Sequence, residues 1–175
     1  MTDTVLFENP FLSVIERDGY FFSHEKRAEG HLVALLPFRD SAAGREYLAR
    51  IEVCPAHNLY PERCSITGGV EPGSTADATA LEELYEEAGY QVTREALIQL
   101  GTVRPSKSAD TTVHLYAINV TGVTPDEPPS DNTSFEQGAS TEWLSGALVI
   151  EQKDPLLIAA MARLNLHHPV RSDRK

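Results

Sequence analysis

Four glutamates, Glu82, Glu83, Glu86 and Glu87, stand within six residues of one another. In a helix, at about 100° per residue, Glu83, Glu86 and Glu87 share an arc of about 100°. An apolar stripe of Leu81, Leu84, Tyr85 and Ala88 faces the other way. The like-charge pairs Glu82/Glu86 and Glu83/Glu87 each cost ~0.2–0.5 kcal/mol. They also lie at the negative end of the helix dipole, where acids are disfavoured. Ordinary solvated helices interleave signs and place their acids near the N-terminus; this segment does neither. A solvated acidic face is the plain reading. A divalent cation is the chemical one, because hard cations such as magnesium take carboxylate oxygens and turn the repulsion into ligation. Just upstream lies Thr67-Gly68-Gly69-Val70-Glu71-Pro72-Gly73. Glycines let a backbone approach a metal-phosphate group closely.

The charge of the chain follows the same division. Its 175 residues carry a formal net charge of -11, with 26 acids and 15 bases. Residues 64–93 and 108–152 contain no Lys or Arg, and their thirteen acids exceed the net charge. An acidic total argues against nucleic-acid binding, which needs cations to displace counterions, and against an anionic membrane surface. The N-terminus lacks the basic and apolar regions of a signal peptide, and no apolar run reaches 18 residues. The expected location is therefore cytoplasmic. Cys54 and Cys64 form no CxxC pair. Two reduced thiols are the expectation, with one disulfide as the alternative.

These residues need a scaffold. The sequence predicts strands at Phe11–Glu16 and Tyr20–Phe22, joined through Asp18-Gly19. His31–Phe38 is a third strand, followed by a polar loop over 39–46. Period-two alternation from Tyr47 to Val53 marks a strand paired with it. Ser65–Gly73 reads as a short strand entering a glycine turn. Thr75–Ala88 is the acidic helix, with Ser74 or Thr75 at its start and Gly89 at its end. Strands at Ala96–Val103 and Thr111–Val120 precede a loop over Thr124–Ser140, and Asp154–Leu164 is a closing helix.

At this point the residues resemble the Nudix hydrolase family, whose signature is G-x5-E-x7-R-E-U-x-E-E-x-G-U with U apolar. Gly68 takes the first Gly, Glu83 the second Glu, Leu84 the first U, Glu86-Glu87 the E-E pair and Gly89-Tyr90 the closing G-U. Ser74 stands where the first Glu is expected, and Glu82 where the Arg is expected. Pro105, 15 residues past Tyr90, lies in Arg104-Pro105-Ser106-Lys107-Ser108-Ala109-Asp110. That segment looks like the proline loop of the ADP-ribose pyrophosphatase branch.

The resemblance implies a Nudix α/β/α sandwich with a mixed β-sheet over residues 1–175. Its parts are N-terminal strands (1–30), a Nudix core (31–165) and a tail (166–175). It implies hydrolysis of the diphosphate of ADP-ribose-like nucleoside diphosphate derivatives, or alternatively of a nucleotide sugar or other dinucleotide, with Mg2+, or Mn2+, as cofactor. Glu86, Glu87 and the Thr67 carbonyl become metal ligands, and Glu83 a ligand or the base. Glu136, on the late loop, is the first choice of catalytic base, ahead of Asp126, Glu127 and Asp131. Arg104, Pro105, Lys107 and Asp110 become substrate contacts. Tyr20, Phe21 or Phe22 either stacks on a base or packs in the core. By the same analogy the strands before His31 build a homodimer. Glu82, in place of the family's orienting Arg, either joins the metal cluster or turns away. Two other classes stay open: a degenerate Nudix domain that binds nucleotide without cutting it, and an acidic interaction domain.

Overall fold

A computed structural model describes residues 2–57, 59–129 and 138–169. Its centre is strand β4 (His31–Ser41), an apolar run whose residues 33–38 are all buried. β4 pairs in parallel with β9 (Thr112–Asn119) along eight residues. Its other edge is divided. Leu32–Leu35 pairs with β7 (Ile66–Gly69), and Phe38–Ser41 pairs with β5 (Gly44–Val53). Pro37, which has no N–H to give, falls between these two ladders. β5 then carries β10 (Ser140–Ser145) and β6 (Pro61–Cys64), and β8 (Leu97–Val103) closes the far edge beside β9. A separate sheet, β1-β2-β3, spans Asp3–Glu8, Leu12–Arg17 and Tyr20–Glu25.

Alternation along β4 explains the layers. Val33 and Leu35 join Leu48, Ile66, Tyr116 and Ile118 under helix α1 (Ala76–Ala88). Ala34, Leu36 and Phe38 join Tyr47, Ala49, Leu115 and Ala117 on the opposite face, under α2 (Gly146–Ile150) and α3 (Pro155–His167). Strands buried on both faces need helices on both sides. The result is the expected α/β/α sandwich around a mixed sheet. Leu84 of α1 and Leu164 of α3 are fully buried; truncating either to Ala costs about 2–5 kcal/mol.

The sheet is larger than the sequence predicts. The expected polar loop over 39–46 is mostly strand, turning only at Ala42-Ala43. Directly opposed residues carry opposite charges there: Arg39 faces Glu46 and Asp40 faces Arg45, in ion pairs of 2.9 and 2.7 Å. Cross-strand complementarity lets a polar sequence hold a ladder. Strands β1, β6 and β10 were not expected.

One carboxylate joins the sheet to the last helix. Asp154 caps α3 by accepting from the backbone N–H groups of Leu156 and Leu157. It also accepts from the N–H and hydroxyl of Ser65, the residue between β6 and β7, at 2.6 and 2.8 Å.

Candidate active site

Helix α1 begins and ends where its sequence says it should. The Thr75 hydroxyl accepts from the Ala78 N–H, and Gly89 adopts a left-handed φ of 72° while donating to the Tyr85 carbonyl. Ser74 does not cap the helix; its hydroxyl contacts that of Thr79. Gly89 has a second reason to lack a side chain. A Cβ there would collide with the Asp126 carbonyl, and the Asp126 N–H donates to the Gly89 carbonyl at 2.9 Å. The acidic loop that follows β9 is therefore fastened to the end of the acidic helix.

The glycine turn serves the helix directly. A Cβ at Gly68 would overlap the Glu83 carboxylate. Glu83 thus lies on the β7 backbone, one residue from the Thr67 carbonyl. Gly69 is packed against Ala28, so the same turn touches the segment that follows β3. Glu83 and Glu87 are partly buried, whereas Glu82 and Glu86 are exposed. Glu82, at the family's Arg position, lies on the solvent side of the helix.

The cation absent from the helix comes from the sheet. Arg50 of β5 is buried, and its Nη1 donates to the Glu87 carbonyl at 3.2 Å. Its Nε lies 3.5 Å from Glu87 Oε2 and 3.7 Å from Glu52 Oε2. A guanidinium at a helix C-terminus satisfies an orphan carbonyl and offsets the dipole. Arg50 was not a predicted site residue. Its only signal in the sequence was a charged residue amid the alternating residues 47–53.

Asp77, in the first turn of α1, serves the fold. It is buried and accepts from the Tyr116 hydroxyl (2.7 Å), Arg94 Nε (2.8 Å) and Gln99 Nε2 (3.2 Å). The Tyr116 hydrogen bond, followed by that of Arg94, holds its carboxyl below the usual carboxylate range. Burial, then the hydrogen bond to Asp77, pushes the Tyr116 phenol up.

The predicted substrate residues lie on the loop between β8 and β9, which is stitched to β3. Ser23 and Ala109 form a bridge, the Tyr20 hydroxyl donates to the Lys107 carbonyl at 2.7 Å, and His24 Nδ1 meets Asp110 Oδ2 at 2.8 Å. Lys107 and Asp110 line a cavity of about 450 Å3 with Arg17, Tyr20 and Phe22. Phe22 is packed beneath the Arg17 guanidinium and is buried, while Tyr20 and Phe21 are exposed. Arg104 and Pro105 are exposed on the same loop. Arg17 is a cation of this cavity that the sequence did not single out. Glu136 and Asp131 lie outside the described residues.

The residue types on this face, carboxylate oxygens, are those a hard divalent cation takes, but among the described residues Glu83, Glu86 and Glu87 do not stand close enough together to form a three-ligand group. The helix face carries no base, and the Gly68 cradle seats Glu83 beside a backbone carbonyl.

No family model and no curated protein sequence matches the chain. Among solved structures it is similar to an ADP compounds hydrolase, with a TM-score of 0.69 and 14% identity. The match covers 97% of this chain and 95% of that one. The shared feature is the fold. Among the described residues, no helix is long and apolar enough to cross a membrane.

Proposed function

We propose that the chain is a Nudix-type pyrophosphatase that hydrolyses the diphosphate of ADP-ribose-like nucleoside diphosphate derivatives. The observation that carries this reading is the Glu83 carboxylate seated on Gly68, beside Thr67 and on the same helix face as Glu86 and Glu87. In this reading Glu83, Glu86, Glu87 and the Thr67 carbonyl hold Mg2+, or Mn2+. The metal, when bound, neutralises the diphosphate and lowers the pKa of an attacking water. Arg50 acts as a positioning residue for Glu87, the service the signature gives to the residue before the first Glu of its E-U-x-E-E core. Lys107 attracts phosphate charge, while Arg17 is paired with Asp3 at 2.6 Å, and the exposed Tyr20 offers a ring to a base. Glu136, outside the described residues, remains the proposed base; earlier in the sequence Asp126 is anchored at Gly89. The solved ADP compounds hydrolase supports the substrate class through its shared fold and the compounds it is named for.

A panel of ADP-ribose and other nucleoside diphosphate derivatives, assayed with Mg2+ and with Mn2+, tests the reading. Release of a nucleoside monophosphate that requires metal and is lost in Glu86→Gln is expected. Equal background in both proteins favours the nucleotide binder that does not cut, a reading that Ser74 and Glu82 at two signature positions support.

The sheet β1-β2-β3 supports a homodimer. Val5, Leu6, Phe7 and Phe21, with Phe11 just before β2, are each more than half exposed, and large apolar residues exposed together on one small sheet suit an interface. Light scattering that returns a dimer for the wild type and a monomer for Val5→Glu/Phe7→Glu is the expected result.

A further inference from the structure

A second donor cluster lies on the other side of Arg50. β5 and β6 are antiparallel neighbours, and the chain that leaves β5 brings Cys54 back to Cys64, with Sγ atoms 3.6 Å apart. A carboxylate oxygen of Glu52 completes the group, and all three donor atoms lie within 4.8 Å of one another. Both thiols are free and half-buried. All three residues line a cavity of about 530 Å3 that Thr67 and His57 also line. We propose that Glu52, Cys54 and Cys64 form a binding site for a thiophilic divalent cation, zinc by chemical class, with its fourth position open to this cavity.

The spacing supports the assignment. Two thiolates about 2.3 Å from a tetrahedral zinc stand about 3.8 Å apart, close to the observed separation. A disulfide needs its sulfurs at about 2.05 Å. Thiolate pairs select zinc-like cations over magnesium, so this site and the all-oxygen set on α1 take different metals. The surroundings are electronegative. Burial, the Cys54 thiol and the carboxylates of Asp154 and Glu52 push the Cys64 thiol up. The two carboxylates among these causes also attract a divalent cation, whereas burial, the largest, does not. Arg50 does not block the site, because a carboxylate can accept from a guanidinium with one oxygen and ligate with the other. Binding releases the two thiol protons to solvent, and no electrons are exchanged.

Cobalt(II), which takes zinc's place and absorbs light, provides the test on the full chain, reduced and with both thiols titratable. One equivalent should produce a thiolate-to-cobalt charge-transfer band that one equivalent of zinc removes. Cys54→Ser and Cys64→Ser should each abolish the band, and Glu52→Gln should weaken cobalt binding at least about tenfold. Circular dichroism checks that each variant is folded, and Glu52→Gln keeps the thiols should a serine variant unfold. The band should persist in Glu86→Gln, which separates this site from the carboxylate helix. Absence of the band in the reduced wild type would overturn the proposal. So would its survival in both serine variants, or its loss in folded Glu86→Gln.

Discussion

The two ends of helix α1 carry the same chemical group to opposite ends. At the first turn, Asp77 is buried and held by a phenol, a guanidinium and an amide. At the last turns, Glu83 and Glu87 are partly buried, Glu86 is exposed, and Glu87 lies beside the buried Arg50. The first carboxylate is committed to the fold, and the others stand on the face that the proposed reading gives to a ligand. Acid content alone therefore does not locate a reactive site; what surrounds each carboxylate does.

This contrast is broken most severely at Glu86. Glu86→Gln should reduce metal-dependent hydrolysis on the order of 10²–10³-fold, the scale on which one charge-stabilising group acts. Its melting temperature should stay within a few degrees of wild type, because the residue is exposed. If calorimetry instead shows a large loss of stability, Glu86 belongs with Asp77.

Arg50 lies between the two classes. Arg50→Met removes the guanidinium beside the partly buried Glu87 carboxylate and should cost about 3 kcal/mol in urea unfolding. In Arg50→Met/Glu87→Gln the losses should be less than additive by roughly 1–3 kcal/mol. Strict additivity would mean that the 3.5 Å approach carries no energy.

Asp77→Asn sharpens the other end. It removes the charge from three hydrogen bonds, each with a group that favours the carboxylate, and should cost about 2 kcal/mol with hydrolysis retained. Asp77 has a folded pKa below its unfolded value. Its contribution is present above about pH 4 and is lost as pH falls through the lower folded value. Acid unfolding of the variant should accordingly be less steep over that range.

The smallest effect involves His114, whose ring centroid is 5.8 Å from that of His31. Burial, then the neighbouring His31, holds the His114 pKa below the usual value. The unfolded chain then binds the proton first, so stability falls as pH drops below about 6.5. A His114→Gln variant should show a shallower decline between pH 7 and 5, by less than about 1 kcal/mol.

The sequence was most legible where one element carries its own pattern. The stripe and acids of α1 are local, and the Gly68-to-Gly89 spacing placed the turn, the helix and its cap together. It was least legible where a partner comes from elsewhere. Arg50 precedes Glu87 by 37 residues, and only the β5–α1 packing unites them. The two base-free windows are not base-free in space, since Arg94 reaches Asp77 and Arg63 reaches Glu142. The pairing of Cys54 with Cys64 depends on how the chain turns after β5, which no periodicity encodes. The loop over 39–46 was misjudged because polar residues were read singly, whereas their strand depends on the charges opposite.

The Asp154 capping bonds have a kinetic consequence. Ser65 and Asp154 are separated by 89 residues. A contact across so long a stretch carries a high chain-closure entropy and depends on the sheet and α3 both being in place. Its loss should therefore accelerate unfolding far more than it delays refolding. Because Asp154 lines the same cavity as the two cysteines, any ligand settled there should act as a brake on opening and lengthen the native lifetime without hastening the chain's first collapse.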